Sequence, residues 1–255
     1  AQGRWTSGRS YRRCTISRSR QAPQERFGSK GNGKEAEMRI ILASASPRRK
    51  ELLTQIGMTY EVAPSTVEEK MEGTLPEEIV QGLSAQKAED VCGRFLERGE
   101  EDFLVIGADT VVALDGSVMG KPADREDACR MLGLLQGKTH QVYTGVTFCG
   151  RRKGGENIRH TFYGKTDVSM FPMDGEEIRA YVETGEPLDK AGAYAIQGRC
   201  AAYIEKINGD YNNVVGLPVG RLCREMKRYG LETGRSPVQA GIPDRLERLD
   251  AERVE

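Results

Sequence analysis

The stretch 38-MRIILASASPRRKELLTQIG-57 decides the fold class. Residues 39 to 43 are short, apolar and β-compatible, and Ser46-Pro47 follows at once, opening an amphipathic run from Arg48 to Ile56 that closes at Gly57. The pattern predicts strand, turn, helix. Ser46 suits the N-cap, Pro47 the first helical position and Gly57 the left-handed residue after the last turn. Leu52, Leu53 and Ile56 form the stripe that such a helix buries.

Downstream, the sequence continues to alternate. A second strand is expected over 59 to 63 and a long helix over 76 to 96, with Ile79, Leu83, Ala88 and Val91 near helical spacing and Lys87 in its middle. Two β-rich runs, 103 to 106 and 110 to 114, flank Gly107-Ala108-Asp109, which places Asp109 where one strand kinks or hands over to the next. A helix is expected over 123 to 135, antiparallel strands over 141 to 149 and 160 to 170, a short helix over 174 to 184, a strand over 201 to 207 and a last helix over 216 to 229. Alternation first and a hairpin later predict an α/β fold, a mixed twisted sheet with flanking helices and two lobes around a cleft.

Upstream of Met38 the character changes. Residues 1 to 37 hold nine Lys and Arg against three Asp and Glu, while the whole chain balances at 38 of each. That segment, Arg- and Ser-rich without an apolar face, is expected to be a leader or other non-core extension. The domain is placed at 38 to 233, and 234 to 255 reads as a charged tail. Balanced charge argues against a polymeric nucleic-acid partner or a membrane surface, so recognition of anions must be local. No run approaches the roughly 18 apolar residues of a membrane span. Six scattered cysteines without a CxxC pair, and only two histidines, point away from zinc and towards reduced thiols in the cytoplasm.

Three segments carry candidate chemistry. In 44-SASPRR-49 free backbone N–H groups, two hydroxyls and two guanidinium groups gather at a helix N-terminus, which fits a phosphate grip and equally an ordinary capped helix with surface arginines. Asp109 emerges from an apolar strand beside small residues, as a metal ligand, a proton acceptor or the cap of a turn. Glu68 and Glu69 are further carboxylates of equal standing by spacing. The run 185-GEPLDKAGAYAIQG-198 sets Asp189, Lys190 and Gln197 on a small-residue backbone of the kind that lines sites. By contrast 116-GSVMGKP-122 is one residue short of a P-loop and has Pro122 where a metal-binding hydroxyl belongs, so Lys121 is no Walker lysine.

Taken in order, SASPRR, Lys87, GADTVV at 107 to 112, GKP at 120 to 122, HQVYTGV at 140 to 146, the 185 to 198 run and GDYNNVVGLP at 209 to 218 resemble the Maf family of nucleoside triphosphate pyrophosphatases. The resemblance spans about residues 38 to 230. It implies a sheet and cleft similar to inosine triphosphate pyrophosphatases, a divalent cation, Mg²⁺ or Mn²⁺, and a homodimer as a plausible assembly. The form Asp-Lys-Ala-Gly-Ala-Tyr-x-Ile-Gln is similar to the subgroup acting on dTTP and UTP. By position, Asp109 matches the proton acceptor, Glu69 a carboxylate assisting metal or water, and Arg48, Thr110 and Gln197 positions linked to substrate choice. Ser44, Ser46, Arg49, Lys87, Lys121 and Lys190 match other polar site positions. A nucleotide-binding regulator of division without turnover, and a phosphatase releasing orthophosphate, are the alternatives.

Overall fold

The computed structural model describes residues 38–231; the expected extension over 1 to 37 and the tail over 234 to 255 lie outside the described residues. The opening strand, turn and helix are β1 (Arg39–Leu42) and α1 (Pro47–Gln55). Leu52 and Leu53 are buried and Gly57 has a φ of 70°, as that pattern requires. Ser46 takes the N-cap position, but its side chain makes no capping bond; Ser44 Oγ instead accepts from the Ser46 N–H at 3.3 Å.

Next come β2 (Glu61–Val62), α2 (Pro76–Glu97), β3 (Phe103–Leu114) and β4 (Ser117–Met119). They are followed by α3 (Arg125–Leu135), β5 (Thr139–Arg151), β6 (Asn157–Met170) and α4 (Gly175–Glu183). Short 3₁₀ turns carry the chain from Glu186 to Tyr203. Last come β7 (Ile204–Asn208), α5 (Tyr211–Val215) and α6 (Val219–Arg228). The caps are legible in the side chains: Asp124 accepts from the Asp127 N–H, and Asp174 and Glu177 form a reciprocal capping box.

Three expectations are corrected. Residues 103 to 114 form one continuous strand, because β5 pairs with it from Phe103 through Ala113; Asp109 therefore sits mid-strand and not at a handover. The last strand begins at Ile204 rather than 201, since Arg199–Tyr203 coil into a 3₁₀ turn. The final helix begins at Val219 rather than 216, after Pro218, and a short helix that was not expected, α5, precedes it. The sheet is mixed, in the order β2-β1-β3-β5-β6-β7 with β4 on β3; β1 runs parallel to β2 and β3, and the other pairs are antiparallel.

Two geometric facts position the site. The pairing of β1 with β3 ends at Leu42 opposite Ile106, while β4 joins β3 only from Val112, so residues 107 to 111 have no strand beside them on that edge. Alternate residues of β3 face opposite sides: Leu104, Ile106 and Ala108 pack in the core with α1 and α6, and Phe103 and Val105 in the core with α2. The second fact is the closeness of α2. A Cβ on Gly107 would stand 2.6 Å from the Ser84 carbonyl oxygen and 2.7 Å from the Ala88 nitrogen, and one on Gly145 would overlap the Val80 carbonyl.

Gly145→Ala is therefore expected to cost about 3 kcal/mol or more, since α2 must move off the sheet. Gly133→Ala on α3, where an added Cβ meets nothing within 4 Å, is expected to be neutral or to gain up to about 1 kcal/mol. Urea unfolding of the two variants checks the contrast.

Candidate active site

The uncovered edge of β3 opens into a cavity of about 430 Å³, within the roughly 300–1,000 Å³ range of small-molecule sites. Every candidate residue but Glu68 lines it: Ser44, Ser46, Arg48 and Arg49 from the β1–α1 turn, Glu69 from the loop before α2, Lys87 from α2, Asp109 and Thr110 from β3, Lys121 from the turn after β4, and Asp189, Lys190 and Gln197 from the 3₁₀ segment. Of the two equal glutamates only Glu69 reaches it; Glu68 is exposed elsewhere. Five cationic side chains face three carboxylates there, an excess suited to an anion.

Arg49 is the most constrained group. Its Nε donates to the Gly216 carbonyl at 2.9 Å, Nη1 to Ser44 Oγ at 3.1 Å and Nη2 to Thr110 Oγ1 at 3.3 Å. Three of its five N–H groups are thus satisfied by protein, and two are left for a ligand. Burial lowers the guanidinium below its ordinary pKa, and the charge of Asp109 opposes that. Arg48 is looser, 3.5 Å from the exposed Asp189.

Across the cavity Lys87 Nζ bonds Asp109 Oδ1 and lies 3.1 Å from Glu69 Oε1. Lys87 and Asp109 are about equally shielded, with side chains 14 % and 15 % exposed, whereas Glu69 is 48 % exposed. Two carboxylates thus converge on one cationic point. The loop that carries Glu69 is fixed to α2: Asp90 accepts from Ser65 Oγ at 2.7 Å and the Thr66 N–H at 3.0 Å, and the Gln86 amide bonds both main-chain groups of Lys70. Among the described residues no three His, Cys, Asp or Glu side chains form a complete metal cage. A pair of carboxylates suits a hard cation that takes its other ligands from phosphate and water.

The third wall is the 3₁₀ segment. Lys190 Nζ donates to the Glu186 carbonyl at 3.2 Å and bonds Asp189 Oδ1. Burial opposes ionisation of Asp189, but the Lys190 hydrogen bond and the Arg48 charge outweigh it and hold the carboxyl below its usual range. Gln197 is exposed, and its amide has no hydrogen-bond partner among the described residues. Val112, Val142, Ala195 and Ile196 give the cavity an apolar side that spacing alone did not reveal, because they come from three separate places in the chain. Tyr194 completes it and bonds His140 Nε2 at 2.8 Å.

His140 is fully buried, and burial lowers its pKa to about 4. The unfolded chain therefore binds the proton more readily, and stability falls as pH drops from the ordinary histidine range of about 6.5 towards 4. Between pH 7 and pH 5 the loss attributable to His140 is about 2 kcal/mol. Urea unfolding at both pH values, compared with His140→Gln, is expected to show that difference shrink in the variant.

The model of the family described as Maf-like protein matches residues 39–229. A protein of Agathobacter rectalis named dTTP/UTP pyrophosphatase is 54% identical over 201 residues, covering 76% of this chain and 98% of its own length. A protein of Bacillus pumilus with the same name is 48% identical over 193 residues, covering 75% and 97%. Among solved structures, the Staphylococcus aureus Ham1 protein aligns with a TM-score of 0.42 and 14% identity, over 75% of this chain and 99% of that one. The family match takes in every strand and helix that contributes to the cavity, and on that match this chain belongs to the Maf-like protein family.

Proposed function

We propose that this chain hydrolyses pyrimidine nucleoside triphosphates, dTTP and UTP, to the monophosphate and pyrophosphate, removing unwanted nucleotides from the pool. The observation that carries the proposal is the pairing, in one cavity, of an immobilised phosphate grip, Ser44 and Arg49, with a carboxylate, Asp109, held opposite by Lys87. The relatives' printed name, at 48% to 54% identity across nearly their full length, supports the substrate class.

In this proposal the α1 N-terminus, Arg49 and the Ser44 hydroxyl bind phosphate oxygens, and Lys121 and Lys190 neutralise the charge that moves towards the leaving pyrophosphate. Asp109 takes the proton of the attacking water at a carboxylate oxygen, with the α-phosphorus as the site of attack. Lys87 fixes where Asp109 and Glu69 point. Asp109 and Glu69 are the residues that would hold Mg²⁺ or Mn²⁺, and when bound such an ion offsets phosphate charge. The two converging carboxylates support that assignment. Arg48, Thr110 and Gln197 select the nucleoside, with the unengaged Gln197 amide offering both a donor and an acceptor to a base edge.

The working unit is the domain of residues 38 to 233, acting in the cytoplasm as a homodimer. No polymeric nucleic acid and no membrane take part. Free thiols at Cys92, Cys129, Cys149, Cys200 and Cys223 fit a reducing compartment. No helix among the described residues is long and apolar enough to cross a membrane.

Incubation with UTP and Mg²⁺ is expected to yield UMP and pyrophosphate in equal amounts; orthophosphate, or saturable binding with no product, contradicts the proposal. Asp109→Asn is expected to lower kcat by about 10²–10⁴-fold at saturating metal, and wild-type turnover in that variant removes Asp109 from the centre of the chemistry. Gln197→Glu replaces a donor by an acceptor, and is expected to shift the UTP-to-CTP ratio of kcat/KM towards CTP by at least about tenfold. An unchanged ratio removes Gln197 from base selection.

A further inference from the structure

Thr144 lies in the middle of β5, fully buried and outside the cavity lining. Its Oγ1 donates to the Asn213 carbonyl oxygen at 2.8 Å and stands 2.9 Å from Thr110 Oγ1. A hydroxyl has one proton and two lone pairs, and a carbonyl oxygen cannot donate. The Thr144 proton is therefore committed to Asn213, and the Thr110–Thr144 bond must use the proton of Thr110. Asn213 is itself anchored, its Nδ2 donating to the Val142 carbonyl at 3.0 Å and to Thr166 Oγ1 at 3.1 Å.

The order of protons then fixes what Thr110 shows the cavity. Arg49 Nη2 donates to one of its lone pairs. Its proton points into the core, and one lone pair is left. Ser44 is the reverse case: Arg49 Nη1 and the Ser46 N–H engage both of its lone pairs, so its proton is available. One guanidinium thus stands between a hydroxyl that donates and a hydroxyl that only accepts. Ionised phosphate oxygens carry no proton, so they suit Ser44 and gain nothing from Thr110.

We infer that Thr144 is a positioning residue for the reaction, holding the Thr110 proton out of the cavity so that Thr110 accepts a hydrogen bond from an O–H or N–H donor in the bound complex. The inference rests on the hydrolytic proposal above. Two donors of the bound complex meet this requirement, the attacking water and the N3–H of a uracil or thymine base, and the second agrees with the role of Thr110 in selecting the nucleoside. Asp109 and Thr110 are consecutive, and both reach the cavity because β1 has ended beside them. A water that gives one proton to Asp109 and the other to Thr110 keeps both oxygen lone pairs, one of which attacks phosphorus.

The test compares Thr144→Val, which removes the hydroxyl at nearly constant volume, with Thr144→Ser, which keeps it; Thr144→Ala stands in if the valine variant does not fold. Wild-type enzyme is first shown to release pyrophosphate, since failure there overturns the hydrolytic proposal and not this one. Thr144→Val is expected to lower kcat on UTP about tenfold, the scale of one neutral hydrogen bond in a barrier, with KM little changed, and Thr144→Ser to recover most of it. In a Thr110→Val background the same substitution is expected to cost nothing further in kcat. Wild-type kcat in Thr144→Val, or an equal loss in both backgrounds, overturns the inference. Equal losses on UTP and CTP support it with water as the donor. A loss confined to UTP supports it with the base N3–H, which cytosine lacks, as the donor.

Discussion

The end of β1 at Leu42, beside a β3 that continues to Leu114, is the constraint on which the site depends. A strand in the middle of a sheet normally presents only its two faces. Here the edge of residues 107 to 111 is uncovered as well, so consecutive residues on opposite faces can serve one cavity. Asp109 meets Lys87 of α2 on one side, and Thr110 meets Arg49 of α1 on the other. The turn that ends β1 also begins α1, and its serines and arginines fill the space the strand leaves.

Rigidity in this arrangement comes from backbone contact more than from ion pairs. The main chain of α2 lies directly on the sheet at Gly107 and Gly145, which fixes the height of Lys87 over Asp109. Arg49 is fixed by three hydrogen bonds to three different elements. Such preorganisation places charge where phosphate charge is to be met without rearrangement at the moment of reaction. It also concentrates partly buried charge, whose desolvation is offset only while each group keeps its partner.

Much of this was legible in the sequence, and the failures have physical causes. The strand-turn-helix of residues 39 to 57 was legible because apolar run, Ser-Pro and Gly agree with one another. The GADT segment read as a kink because small residues weaken a β pattern, yet in the fold Gly107 is small so that α2 can approach, and β5 holds the strand straight. Residues 201 to 207 alternate like a strand, but the first three belong to the 3₁₀ turn Arg199–Tyr203, with the Arg199 N–H held by Glu186. The charged residues that line the cavity were all singled out, since charge beside small residues is conspicuous in a sequence. Choosing Glu69 over Glu68 required the path of a loop. Thr144 gave no signal, because a threonine in a strand is ordinary β sequence until its hydroxyl is seen between Thr110 and Asn213.

The central claim is that water, oriented at Asp109, attacks the α-phosphorus of a nucleotide whose phosphates lie on the α1 turn. Turnover of UTP in ¹⁸O-water, with both products analysed by mass spectrometry, tests it most directly. The account predicts the label in UMP and unlabelled pyrophosphate. Label in the pyrophosphate, or in released orthophosphate, would contradict it.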